Sequence, residues 1–450
     1  MAKQLFGTDG IRGIPGQPPL DDTTLQRTGM ALARYLRGSR KTGEHPRVLI
    51  GRDTRESGPH IAEMIARGLA AEKAKPVSAG VLTTPGVAWL VHREGFAAGV
   101  VISASHNPYH DNGVKLFSSS GMKFPDAVEA EFEEFILAAN TKARGGSKAR
   151  LNVNPKLHED YLDGLREGAE PGAKMRGMKI VIDCANGAAS KLAPKLFRSL
   201  GAKVTAMNAS PDGRNINARC GSLHPKAMQK RVVETGSALG VAFDGDADRA
   251  IFASASGKLV DGDGVLLAAG RYLQKAGRLK GTIVVGTTMA NLGLERALEK
   301  TGLTLARTNV GDRYVLEEMQ RIGANLGGEQ SGHILFLDDA TTGDGMLTAV
   351  KMASIVSASG PLDELVADLK IFPQKIVNVR VKAKPPLDTL PDVSRELEEA
   401  NRALGKSGRV VLRYSGTEPL ARVMVEAERD EDVLRWTDSL ASAVRTAIGA

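Results

Sequence analysis

Cysteine is nearly absent: Cys184 and Cys220 are the only two in 450 residues, and they show no metal-ligand spacing. That argues against a disulfide framework and points to a reducing, cytoplasmic setting. Aromatic residues are also scarce, at 4%. The formal charge of +8 raises the question of nucleic acid, but Lys and Arg are spread along the chain with no ribonucleoprotein or zinc-finger pattern. Such a basic balance suits the gathering of small phosphorylated substrates better. No apolar run approaches the ~20 residues of a membrane span. Residues 1–13 reach polar Thr8-Asp9-Gly10 without the apolar core of a signal peptide. Neither nucleic acid nor membrane is therefore expected as a partner.

Glycine, in contrast, is plentiful, with 50 residues, and many fall at strand ends where backbone must approach a ligand. The hydrophobic share of 42% and charged share of 25% fit a globular chain, and the length suggests two to four domains. One pattern occurs three times: an apolar strand, a polar loop, a helix-like stretch and a second short strand. The first strands are 48–51, 180–183 and 283–286, and the second strands 77–81, 203–206 and 303–307. A later strand in each copy (99–102, 240–243 and 324–327) runs straight into a polar motif. Alternation of this kind predicts α/β units with mixed, largely parallel sheets, whose ligands gather at the carboxyl ends of strands. Residues 127–139 read as a helix and 141–155 as a linker. Beyond about residue 372 the pattern changes to strand 375–381, helix 387–404, strands 410–412 and 422–427, and a helix from about Asp430. The expected layout is three similar α/β domains, 1–150, 151–255 and 256–371, followed by a smaller α+β domain, 372–450, all around a central cleft.

The motifs carry the chemistry. Ser103-Ala104-Ser105-His106-Asn107-Pro108 places a hydroxyl beside an imidazole, though no Gly-x-Ser-x-Gly hydrolase signature accompanies it and a simple Asn-Pro turn is the plain alternative. Downstream Lys115 returns towards the same loop, where it can neutralise phosphate or, with a lowered pKa, move a proton. Asp244-Gly245-Asp246-Ala247-Asp248-Arg249 sets three carboxylates on alternate positions. To share one cation the chain must curl, which small Gly245 and Ala247 permit. Oxygen-only ligation selects a hard cation such as magnesium. An EF-hand is excluded, because its sixth and twelfth places hold Arg249 and Ala255. Glu329, Ser331 and His333 form a third polar set, suited to sugar hydroxyls and proton exchange. Arg413-Tyr414-Ser415-Gly416-Thr417 reads as a phosphate cradle or a surface turn, Arg422 as a second positive contact or an exposed strand residue, and Arg12, between glycines near the start, as a phosphate contact or part of a tight turn. A serine able to carry phosphate beside a carboxylate nest is equipment for phosphoryl transfer.

With these four loops in this order, from Phe6 to Arg422, the chain resembles the α-D-phosphohexomutases. Gln330 after Glu329, Ser103, and the opening residues 6–13 are similar to the family's amino-sugar branch. The resemblance implies three similar α/β domains and a smaller fourth. It also implies that phosphorylated Ser105 donates and recovers phosphate, and that one Mg2+ is held by that phosphate with Asp244, Asp246 and Asp248. By the same resemblance Lys115 and His333 move protons, while Arg12, His106 and Arg249 contact phosphates or the reacting serine. Glu329 and Ser331 hold the sugar, and Arg413, Ser415, Gly416, Thr417 and Arg422 hold the phosphate that is not transferred. The implied partners are a phosphorylated amino sugar and a hexose 1,6-bisphosphate, as intermediate or activator, with room left for a homodimer. A sister mutase acting on glucose or mannose phosphate, a phosphosugar phosphatase, and a non-catalytic phosphosugar-binding protein stay open as alternatives.

Overall fold

A computed structural model describes residues 5–7, 9–38, 45–138, 151–415 and 418–450. Strand Arg47–Arg52 is buried along its apolar middle, as expected for a central strand covered on both faces. Lys75–Val81 and Ala98–Ile102 pair parallel to it on either side. The next two units repeat this arrangement. Lys179–Asp183 lies between Lys203–Met207 and Leu239–Phe243, and Ile283–Thr287 between Thr304–Thr308 and Leu326–Gly328.

In every unit a fourth strand returns antiparallel beside the third: Asn112–Ser118, Ala250–Ser254 and Ile334–Phe336. The reason is chain length, because the intervening loops are shorter than the dozen or so residues a parallel crossover needs. The parallel part of each sheet is thus its first three strands, the second of them at the sheet edge, and each motif is the reversal between third and fourth. Even the turn after the first strand is copied. The N–H groups of Arg55, Ala185 and Met289 donate to side-chain oxygens of Asp53, Asp183 and Thr287, at 3.0, 2.9 and 3.1 Å. Edge strands complete sheets of six, five and four strands. Of the expected linker 141–155, residues 141–150 lie outside the described ones. The helix before it is Asp126–Leu137.

A single apolar core runs through all three units, from Leu49 and Phe117 through Phe197 and Phe243 to Leu294 and Val350. The Tyr161 hydroxyl adds a polar tie, accepting from Thr83 of the first unit at 3.2 Å and donating to Asp344 of the third at 2.8 Å. The last unit has its own core around Val393, Val423, Trp436 and Leu440. Its sheet is antiparallel, with Leu420–Ala427 between Gln374–Arg380 and Gly408–Tyr414. The helix expected over 387–404 begins instead at Pro391, after a short 3-10 turn Leu387–Thr389. Proline has no N–H to donate and is tolerated only in the first turn of a helix. Among the described residues, the polar contacts of this unit with the rest of the chain run to the third unit. Asn291 donates to the Phe372 carbonyl at 3.1 Å and accepts from its N–H at 3.0 Å. Fully buried Glu426 accepts from the Leu292 N–H at 2.9 Å and from Arg409 at 2.6 Å.

Asp344 generates a testable consequence. Burial pushes its carboxyl up to about 6, against partial relief from the Leu347 N–H and the Tyr161 hydroxyl. The folded value exceeds the unfolded one, so the contribution is favourable below the unfolded value near 4 and is lost as pH rises through about 6. Asp344→Asn removes the charge and keeps the helix cap through its single carbonyl oxygen, while its Nδ2 replaces the oxygen that accepts from Tyr161 and can donate to that hydroxyl instead. It is expected to stabilise the fold at pH 7, by on the order of 3 kcal/mol at most, and to leave stability at pH 4 nearly unchanged. Urea unfolding at the two pH values measures this.

Candidate active site

The three motif loops meet because they end equivalent strands of units that share one core. Ser105 is buried, and its Oγ donates to Asp244 Oδ2 at 2.6 Å, across 139 positions of sequence. His106 Nδ1 lies 3.3 Å from the same Oγ, and Arg249 reaches His106 at 3.5 Å. The Ser105 backbone has φ +50°, a left-handed conformation that costs a non-glycine residue ~1 kcal/mol. Gly245 is needed for close approach: a Cβ there would lie 2.5 Å from the Ser105 carbonyl oxygen. The curl between the carboxylates is made by Ala247, at φ +57°.

Asp244, Asp246 and Asp248 each offer one oxygen within 4.8 Å of the others. Burial and the neighbouring Asp248 and Asp246 charges push the Asp244 carboxyl well up. Burial would raise Asp248 as well, but His333, Lys115 and Arg249 together pull it well below the usual carboxylate range. One buried oxygen on Asp246 and one on Asp248 have no hydrogen-bond partner. An oxygen-only, crowded, partly unpartnered donor set of this kind fits a hard divalent cation.

Cations ring the cluster. Lys115, on the returning strand, contacts Asp246 at 3.1 Å and Asp9 at 2.9 Å. Burial alone would lower its ammonium, but Asp246, Asp9 and Asp248 outweigh burial and hold it above its ordinary value. The lowered pKa that would make Lys115 a base is therefore not found, because two carboxylates sit in direct contact with it. His333 is buried 3.6 Å from Asp248. Against the pull of burial, Asp248, Asp312 and Glu329 hold its imidazole above the usual value. His106 goes the other way, lowered by burial, Arg249 and Arg12. Arg12 donates to the Ala104 carbonyl at 3.1 Å and pairs with Asp9 at 2.5 Å.

Glu329 is half-buried and accepts from the Gly311 N–H at 3.1 Å, and Ser331 is exposed on the same turn. A cavity of about 310 Å³ opens between the first and third units, bordered by Lys123, Asp312 and His333, and neither Glu329 nor Ser331 lines it. In the fourth unit Arg413 and Arg422 face each other across the ladder. Arg422 pairs with Glu418 at 3.1 Å, and Ser415 is buried. Gly416 and Thr417 lie outside the described residues. Among the described residues, no hydrogen bond or ion pair joins Arg413, Ser415 or Arg422 to the Ser105 cluster.

Motif reading missed several participants. Thr84 donates to Asp246 at 2.6 Å, Lys123 bridges Asp9 and Asp312 at 2.8 and 2.7 Å, and Asp53, Arg55 and Asn217 surround the serine loop. Asp53 and Thr84 sit just past the carboxyl ends of strands Arg47–Arg52 and Lys75–Val81, a position that itself marks ligand sites in such sheets. Asn217 carries no such signal.

Comparison with known proteins agrees with this geometry. The four parts described as "Phosphoglucomutase/phosphomannomutase" alpha/beta/alpha domains I, II and III and C-terminal domain match residues 3–143, 159–257, 261–372 and 376–443. A phosphoglucosamine mutase of Solibacter usitatus (strain Ellin6076) is 52% identical over the whole of both chains. A solved phosphoglucomutase/phosphomannomutase family protein from Burkholderia thailandensis has TM-score 0.78 at 23% identity, covering 98% of this chain and 97% of its own. The Aspergillus fumigatus N-acetylphosphoglucosamine mutase, solved with GlcNAc-6P and magnesium, has TM-score 0.66 at 19% identity, covering 99% of this chain and 96% of its own. With all four domains present and half of all residues shared end to end, the chain belongs to the phosphoglucosamine mutases of the phosphohexomutase family.

Proposed function

We propose that the chain is an isomerase interconverting glucosamine 6-phosphate and glucosamine 1-phosphate, with phosphorylated Ser105 as the carrier, and that its product feeds UDP-N-acetylglucosamine synthesis. The observation that carries this reading is the Ser105 hydroxyl held 2.6 Å from Asp244, in a buried cluster built by loops from separate units. Substrate O1 attacks the phosphorus on Ser105 and the Oγ–P bond breaks. The proton lost from O1 ends on Oγ, and a bound 1,6-bisphosphate results. After the sugar turns round, Oγ attacks the other phosphorus, the departing C6 oxygen takes the proton back, and Ser105 is phosphorylated again.

Residues of the chain take the following parts. Asp244, Asp246, Asp248 and the Ser105 phosphate would hold one magnesium ion, which neutralises charge on the transferring group. Arg12, Arg249 and His106 face that group. Lys115 and His333, held on the protonated side by carboxylates, are assigned to proton movement and charge neutralisation. Glu329 and Ser331 hold sugar hydroxyls. Arg413, Ser415, Gly416, Thr417 and Arg422 hold the standing phosphate. The facing Arg413 and Arg422 support this, because one carboxylate, Glu418, leaves the pair net positive. The phosphorylated amino sugar is supported by the whole-length similarity to phosphoglucosamine mutases.

Three measurements check the reading. Ser105→Ala is expected to lose both turnover and the mass of one phosphate on the intact protein; turnover at the parent rate would overturn the carrier assignment. Chelation is expected to abolish turnover and added Mg2+ to restore it, whereas an enzyme at full rate after chelation removes the cation from the scheme. Specificity constants on glucosamine, glucose and mannose phosphates should favour glucosamine phosphate. A preference for either other sugar would make the chain a sister mutase, and free phosphate released at the rate of sugar turnover would make it a phosphatase.

A further inference from the structure

We propose that Asp53, Arg55, Ser103 and Asn217 are positioning residues that fix the phosphate-carrying Ser105, an inference that rests on the carrier reading above. The observation is a closed ring of hydrogen bonds that begins and ends on one residue, at the N–H and the carbonyl of Ser105. The Ser105 N–H donates to Ser103 Oγ at 2.9 Å, and the Ser103 hydroxyl donates to Asp53 Oδ2 at 2.5 Å. Asp53 accepts in turn from Arg55 Nε at 2.9 Å and from the Arg55 N–H at 3.0 Å. Arg55 Nη2 then donates to the Ser105 carbonyl at 3.0 Å and to that of Asn107 at 2.9 Å, and Nη1 reaches the Pro108 carbonyl. Asp53 and Arg55 are both fully buried, so this ring has no water to compete with it.

A second clamp comes from the next unit. Asn217 Nδ2 donates to the same two carbonyls, Ser105 at 2.8 Å and Asn107 at 3.0 Å. Asn217 is itself left-handed, at φ +58°. Gly245 closes the remaining side against the Ser105 carbonyl. Both backbone polar groups of Ser105 are thereby occupied, and its left-handed conformation is determined from two units at once.

The consequence is chemical. Ser105 alternates between a phosphate ester and a free hydroxyl in each turnover, and Oγ must stay in line with phosphorus in both forms. A peptide that relaxed when the phosphoryl group left would carry Oγ out of reach before the second transfer. Fixing the backbone removes that freedom in advance, and misplacement by ~1 Å at such a step can cost ~10²-fold in rate. None of the four side chains is hydrogen-bonded to Oγ, so they act through the backbone and are not catalytic groups themselves.

The test uses the full-length phosphorylated enzyme turning over glucosamine 6-phosphate, with thermal melting in parallel. Ser103→Ala opens the ring at its smallest member and is expected to lower kcat by ~10²-fold with KM nearly unchanged. Asn217→Ala removes the second clamp, and a drop in kcat of roughly tenfold is expected, again without a change in KM. Parent-like kcat in both variants, or a rise in KM that accounts for the whole loss, would overturn the proposal. Should Ser103→Ala fail to give a cooperative melt, Asn217→Ala decides alone. Ser105→Ala in the same assay separates the two readings. If it is inactive while both other variants turn over normally, the positioning role falls and the carrier stands; if it is active, the carrier reading itself falls.

Discussion

Three carboxylates kept within 4.8 Å of one another and out of water are the constraint on which this structure turns. At an effective dielectric of about 20, each close pair of charges repels by roughly 3 kcal/mol, and burial adds a further penalty for every ionised group. The fold answers with cations from three separate places: Lys115 from the first unit, Arg249 from the loop itself and His333 from the third unit. It also separates the carboxyls electrically, raising Asp244 and depressing Asp248. A cluster balanced in this way is stable only when the units that supply its charges stay in register. That explains why they share one core instead of touching through a wet seam.

The fourth unit is held differently. Its core is its own, and its polar ties run to the third unit: the Asn291 clamp on Phe372, Glu426 accepting from the Leu292 N–H, Arg409 donating to the Thr288 and Ala290 carbonyls, and Arg296 donating to the Lys406 carbonyl. Among the described residues these ties fall on one neighbouring unit, whereas the first three units meet through a shared apolar core. The shared core holds together the loops of separate units that meet at Ser105. Its Arg413 and Arg422, opposite each other on the ladder, have no hydrogen bond or ion pair to the Ser105 cluster among the described residues, so the fourth unit places these cations independently of that cluster.

How much of this was legible in sequence follows from how local each feature is. The serine loop and the alternate aspartates are contiguous motifs whose chemistry can be read from residue type and spacing. The repeat was visible in strand patterns, and strand order then placed the loops together. What was not legible depends on pairings across long separations. Arg55 acts on Ser105 because strand Arg47–Arg52 is the parallel neighbour of Ala98–Ile102, and Asn217 does so because two units abut at Gly245. The state of Lys115 was also hidden: a buried lysine alone suggests a lowered pKa, and only the nearness of Asp246 and Asp9 reverses the direction. Pro391 was legible in principle, since it can start a helix but not sit inside one.

The copied turn shows how one scaffold serves three different loops. In each unit a residue at the end of the first strand or just past it accepts from the N–H two positions later, through Asp53, Asp183 or Thr287. Beyond that shared bond the three diverge. Asp183 spends its second oxygen on the Gly221 N–H, within its own unit. Asp53 turns its second oxygen to Ser103 and Arg55, which is how this unit gains a grip on the loop that carries the hydroxyl. The difference lies in one neighbour: Arg55 follows Asp53 by two places, where Ala185 follows Asp183. A buried guanidinium has donors to spare after pairing with one carboxylate, and the nearest acceptors are the carbonyls of the serine loop. The repeat thus provides the frame, and a single long cation converts one copy of it from a strand-ending turn into a support for the serine loop.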